Sequence, residues 1–269
     1  MRKGDLREAV GFLVALRFLT IIPLPWRREA SAMEIGRSVI YFPLVGLFLG
    51  LILVGIDKLL GLALPLFLVN VLLIITMVIL TGALHLDGFI DTCDGIMVRS
   101  SAEERLSVMA DSHVGSFGTI GACCLLLLKY AALASVSEDL RIPALILMPV
   151  LSRWAMVYAI FAFPYAKRVG TGQAFKQQAS WWGMGLATLI TLVISSVLAG
   201  LSGLALMAAL WLIVFGVAAF FKLRLEGLSG DTYGAINELA EVLSLMLLPL
   251  LAKALTTHFI GPWQIFDFS

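Results

Sequence analysis

Apolar runs of membrane-spanning length dominate this 269-residue chain and leave it few folds to choose from. They fall at about 39–59, 62–84, 116–136, 142–163, 182–198, 204–221 and 239–260, and a helix of about 20 residues spans the ~30 Å hydrocarbon core. Only 14% of the residues are charged, against about 25% in a soluble domain. The pattern predicts an all-α, polytopic integral membrane bundle of about seven transmembrane helices. It forms one domain over 1–269, with a polar catalytic segment at about 85–115. The N-terminus begins like a signal peptide, but Arg17 interrupts its apolar core and Pro23 and Pro25 end the helix. The expectation is a retained interfacial or re-entrant helix. Cys93, Cys123 and Cys124 lack metal-ligand spacing, and a net charge of +1 gives no support for nucleic-acid binding. Gly46 and Gly50 form a small-x-x-x-small pair suited to close helix packing.

Orientation follows from the lysines and arginines. With the N-terminus in the cytoplasm, fourteen fall inside and only Lys58 and Arg141 outside, while Lys129, Arg153 and Lys253 lie within spans. Every polar, motif-like segment then reaches the cytoplasmic side. A transporter places its chemistry at mid-membrane or on both faces; this arrangement suits an enzyme drawing on cytosolic substrates. The expected location is the bacterial cytoplasmic (inner) membrane, with the lipid bilayer as surroundings.

Acids are scarce, 18 in all, yet Asp87, Asp91 and Asp94 fall within eight positions. Spacings of four and three put them on one face of a helix. Such carboxylates repel unless a cation sits among them, and a hard divalent ion with oxygen ligands, above all Mg2+, suits them. Gly88 and Gly95 beside them allow close approach of a backbone or a phosphate. Arg99 suits bidentate phosphate binding or a positive-inside anchor. Asp111 is a further metal ligand or a base, with His85 and His113 as competing bases. On an ideal wheel His85 points about 160° from Asp87, so it joins the site only if the helix starts after it. Arg153, inside a span, requires a phosphate or a buried acid as partner. Lys167 and Arg168 precede Gly170-Thr171-Gly172, whose amides suit an anion nest. Asp231 opens a helix carrying Glu238 and Glu241 on one face, placed to meet a metal, a ribose or Arg153.

The stretch Asp91-x-x-Asp94-Gly95-x-x-Val98-Arg99 resembles the opening of the CDP-alcohol phosphotransferase signature, but Val108, Ser112 and Ser116 stand where its later Gly, Asp and Asp would be. A fuller resemblance covers nearly the whole chain. It rests on Ala15-Leu16-Arg17-Phe18-Leu19-Thr20, Gly36-Arg37-Ser38, Tyr41-Phe42-Pro43-Leu44-Val45-Gly46 and His85-Leu86-Asp87-Gly88 with Asp91 and Asp94-Gly95. It continues in Asp111-Ser112-His113-Val114-Gly115, Leu151-Ser152-Arg153, Gly170-Thr171-Gly172 and Gly230-Asp231-Thr232-Tyr233-Gly234 with Glu238. By these the chain resembles the cobalamin (5′-phosphate) synthase family, the adenosylcobinamide-GDP ribazoletransferases. His113 departs from the arginine common there. The resemblance implies Mg2+-assisted attack of the 3′-hydroxyl of α-ribazole, or of its 5′-phosphate, on the cobinamide-linked phosphorus of adenosylcobinamide-GDP, releasing GMP. It implies metal roles for Asp87, Asp91 and Asp94, and catalytic roles among Asp111, His85 and His113. Substrate-binding roles fall to Arg99, Arg153, Lys167, Arg168, Gly170, Gly172, Asp231 and Glu238. A homo-oligomer, or association with other cobalamin-assembly enzymes, is a further expectation. The readings set against it are a CDP-alcohol phosphotransferase-like enzyme of phospholipid synthesis and a cation or corrinoid transporter.

Overall fold

Helix α8 (Glu138–Ala162) is the axis about which the rest is arranged. In the computed structural model, which describes residues 3–24, 30–166, 171–178 and 180–259, 89% of its most apolar window is buried. Prolines at 143 and 149 interrupt its hydrogen-bond ladder without ending it. The other described helices are α1 (Lys3–Leu19), α2 (Ala32–Ser38), α3 (Phe42–Leu60), α4 (Leu66–Leu80), α5 (Leu84–Met97), α6 (Ala102–Val108), α7 (Ser116–Ala134), α9 (Thr171–Gln178), α10 (Trp181–Leu225) and α11 (Gly230–Phe259), with a 3-10 turn at Val39–Tyr41. The protein is an all-α, multi-pass membrane bundle.

Helix α3 approaches α8 through Gly46 and Gly50. A Cβ at Gly50 would stand 2.7 Å from the Ile146 Cα, and one at Gly46 would collide with the Pro149 carbonyl. The small-residue pair therefore serves packing. Helix α1 buries Ala15, Leu16 and Leu19. Short α9 docks through Phe175, whose ring meets those of Phe18 and Phe42 edge-on at 4.8 and 5.6 Å.

One predicted span, 62–84, is built differently from the expectation, while the break in α10 matches the two expected spans 182–198 and 204–221. The 62–84 run is not one straight helix: α4 stops at Leu80, Gly82 and Ala83 take φ of 59° and 58°, and α5 leaves at 88°. For Ala83 this left-handed backbone is costly, so packing on both sides must hold it. Helix α10 runs for 45 residues, more than twice what the core needs, but Gly200 breaks it at φ 52°, ψ −131°. The chain folds back there, because Gly203 lies against the backbone of Ser195; in a straight helix those residues would be about 12 Å apart. Five described helices are long and apolar enough to cross a membrane, or six with the bent α4–α5 pair as one span. Counting both arms of α10 brings this to about seven. Exposed Leu59, Leu62, Leu127, Val197, Leu212 and Leu223 suit contact with lipid.

Candidate active site at the crossing of α5 and α11

The bend after α4 lays α5 between α7 and α11. Its buried positions are His85, Gly88, Thr92 and Gly95, a helical stripe that forms the seam with its neighbours. Asp87, Asp91 and Asp94 occupy the adjoining face, Asp87 exposed and the others half-buried. Glycine makes the crossing possible. A Cβ on Gly88 would lie 2.8 Å from the Asp231 carbonyl oxygen, and one on Gly234 would lie 3.0 Å from that of His85. The buried stripe of α5 thereby meets the first turn of α11, with the acid face beside the seam; Asp231 is half-buried and accepts a hydrogen bond from the Ser229 hydroxyl at 3.2 Å.

The three acids of α5 are not equivalent. Asp94 accepts 2.8 Å hydrogen bonds from the Gly115 and Gly118 amides, one on each carboxylate oxygen. It therefore caps the N-terminus of α7, where backbone donors and the helix dipole favour an anion. Side chains at Gly115 or Gly118 would collide with that carboxylate. Among the described residues no three His, Cys, Asp or Glu side chains converge into a group able to hold a metal ion. The donors nevertheless fit magnesium in kind. They are hard carboxylate oxygens, and magnesium is ordinarily held by one or two carboxylates, with water and substrate phosphates completing its octahedron.

Beside this face, the α6–α7 loop carries Asp111 and His113. The Asp111 carboxylate accepts from the His113 backbone amide at 3.0 Å and lies 2.6 Å from its Nδ1. The side-chain hydrogen bond raises the His113 pKa above its ordinary value and lowers that of Asp111. Both are solvent-exposed. Arg99 is exposed just beyond α5. Arg105 instead is buried, donating to the Val98 carbonyl at 2.9 Å and the Arg224 carbonyl at 3.1 Å, and ties α6 to the end of α10.

His85 does not share this face. Helix α5 begins at Leu84, so His85 is already helical and points into the bundle, 1% exposed. It cannot serve as a base on the Asp face, which corrects the expectation. It lies instead close to a buried ionic quartet. Lys129 of α7 donates to Glu238 at 2.6 Å and Glu241 at 2.7 Å, both on α11, and Arg153 of α8 pairs with Glu241. Asn237 also donates to Glu241, at 3.1 Å. Two cations face two anions, so this strongly desolvated cluster is neutral as a whole, the condition under which buried charge is tolerable. Arg153 is 0% exposed; of the two partners left open for it, the structure supplies the buried acid. Glu238 is likewise engaged by Lys129 rather than turned to an open site. Sequence reasoning noted Lys129 only as lying in a span; that placement was the signal, since a charge there requires a partner.

The Gly170-Thr171-Gly172 expectation is only partly addressed, because Lys167, Arg168 and Gly170 lie outside the described residues. Gly172 is buried, and a Cβ there would sit 2.8 Å from Cζ and Oη of Tyr165. Its closeness to the Tyr165 ring accounts for a glycine here. Tyr165 in turn stacks on Tyr233 at 6.2 Å between centroids, and nearby Asp231 contributes, after burial, to raising its pKa. No sequence motif marked Tyr165.

A bent helix that carries carboxylates to one end of a multi-pass bundle, backed by a buried ionic cluster, marks a multi-pass membrane protein with a polar, solvent-reachable face. The chain belongs to the cobalamin-5-phosphate synthase family, whose sequence model matches residues 11–249. It is 40% identical over 237 residues to a protein of Geotalea daltonii named adenosylcobinamide-GDP ribazoletransferase, covering 88% of this chain and 96% of that one. Proteins of the same name from Roseiflexus sp. and Desulforamulus reducens are 38% and 40% identical, each covering 88% of this chain and respectively 88% and 95% of the relative. No solved structure matches it.

Proposed function

We propose that this protein is an adenosylcobinamide-GDP ribazoletransferase of cobalamin biosynthesis. It joins adenosylcobinamide-GDP to α-ribazole or its 5′-phosphate and releases GMP. The observation that carries the reading is the Gly88–Asp231 contact, which packs the acid-bearing helix α5 on the first turn of α11, in a chain of this family. That end is taken as the cytoplasmic face of the bacterial inner membrane, because the basic residues cluster on it.

Asp87 and Asp91 are the residues that would hold magnesium, with Asp94 fixing their helix against α7. Bound there, magnesium supplies neutralisation of pyrophosphate charge. The chain's own groups do the rest. Protonated His113, held by Asp111, and Arg99 offer cations to the phosphates. Asp111 accepts the proton of the attacking hydroxyl, at a modest basicity set by its hydrogen bond to His113. Tyr165, stacked on Tyr233 near Asp231, offers an aromatic surface to a base.

The test is product analysis after mixing purified protein, Mg2+, adenosylcobinamide-GDP and α-ribazole. GMP release that requires α-ribazole is expected. CMP release from a CDP-alcohol with a lipid acceptor, or corrinoid flux into liposomes with no covalent product, would refute the proposal.

A further inference from the structure

A cavity of about 1010 Å³ opens among α1, α2, α8 and the start of α10. None of Asp87, Asp91, Asp94 or Asp231 lines it, so it is separate from the acid face. Its volume is at the upper end of the ~300–1,000 Å³ typical of small-molecule sites and far beyond what an ion needs. The lining is graded. Val39, Ile160, Leu186 and Leu189 form apolar wall, while Ser31, Glu34 and Arg37 stand together on α2 and its cap. The Glu34 carboxylate is already engaged in the capping box with Ser31, accepting from its amide and hydroxyl at 2.9 Å each. Arg37 is exposed and has no ion-pair partner among the described residues.

The wall is continuous with the lipid-facing surface, since Leu189 is 57% and Trp182 90% exposed. Trp181 and Trp182 open a membrane-spanning helix, the position where tryptophan sits at headgroup level. A cationic group and an apolar chamber reached from the bilayer at headgroup depth match one occupant: an anionic phospholipid. We propose that this cavity binds one such lipid, its phosphate on Arg37 and an acyl chain along Leu186 and Leu189. The inference is independent of the transferase reading, because it is tested by lipid retention and not by turnover.

Glycine 185 provides a clean probe. It lines the cavity and a Cβ there would meet nothing within 4 Å. Gly185→Phe therefore projects into open space and replaces a helix-weakening residue. Wild type, Arg37→Gln and Gly185→Phe would be placed in nanodiscs of equal phosphatidylcholine and phosphatidylglycerol. Each would then be released into detergent and weighed by native mass spectrometry, with circular dichroism confirming unchanged helicity. Wild type should retain phosphatidylglycerol in preference to phosphatidylcholine, and each variant should retain about tenfold less, the loss expected for one charge-assisted contact or a blocked chamber. Retention unaltered in both variants, or retention without preference for the anionic lipid, overturns the proposal. So does weakened binding of α-ribazole 5′-phosphate to the variants, measured by calorimetry, with lipid retention unchanged, which would make the cavity a subsite for a soluble phosphate ester.

Discussion

Asp91 and Asp94 lie three residues apart on one helix, yet only Asp94 has both carboxylate oxygens committed to the amides of α7. Their substitutions should therefore differ. Asp91→Asn should lower turnover at least about a hundredfold, the scale of losing one group that organises stabilisation of developing charge. Asp94→Asn offers one carbonyl for two amide donors and should also cost about 1 kcal/mol of stability, the usual worth of a cap. Turnover assays paired with thermal unfolding in detergent separate the two; near-normal turnover of Asp91→Asn at limiting magnesium refutes its metal role. At His113 the sign of the pH effect is fixed by its partner. Its pKa is raised above 6.5 by the hydrogen bond to Asp111, so the cation is present below that raised value and lost as pH climbs through it. kcat/KM should accordingly fall as pH rises through that raised value, and His113→Arg, a permanent cation, should abolish that limb of the profile.

The helices were more legible in the sequence than their relations. The i, i+4, i+7 spacing of Asp87, Asp91 and Asp94 shows one face without any structure, and the 62–84 run is plainly apolar. The 88° turn inside that run is not legible, because Gly82 and Ala83 occupy left-handed conformations that only packing against neighbours can impose. Similarly, Lys129 inside a span announces that some acid must meet it, but the choice of Glu238 and Glu241 depends on how α7 and α11 lie side by side. That choice is testable at the level of the elements it joins. Lys129→Met removes the ion-pair partner of Glu238, leaving Arg153 and Asn237 on Glu241, and should destabilise the bundle by about 3–5 kcal/mol, the cost of stranding a buried charge. Adding Glu238→Gln removes the stranded anion and should recover much of that loss in a double-mutant comparison of thermal midpoints.

Across the whole molecule, charge is concentrated at two depths besides the buried quartet, and the two ends serve different purposes. At the end opposite the acid face, Arg141 donates to Asp57 at 2.8 and 2.6 Å and to the Asn70 side-chain oxygen at 2.8 Å, joining α3, α4 and α8. All three residues are buried, and nothing in their arrangement offers a surface to a substrate. The sequence places Arg141 in an outer loop; in the fold it is a clamp on three helix ends. If the bundle divides its labour in this way, stability and turnover should come apart according to which end is altered. Asp57→Asn leaves the Arg141 guanidinium short of its counter-charge inside the protein. It should lower unfolding stability by about 3–5 kcal/mol while GMP release, measured well below the thermal midpoint, stays near that of the parent. Asp91→Asn should instead lose turnover. A loss of turnover in Asp57→Asn as large as in Asp91→Asn, with the protein still folded, would mean that the two ends are coupled through α4 and its bend into α5.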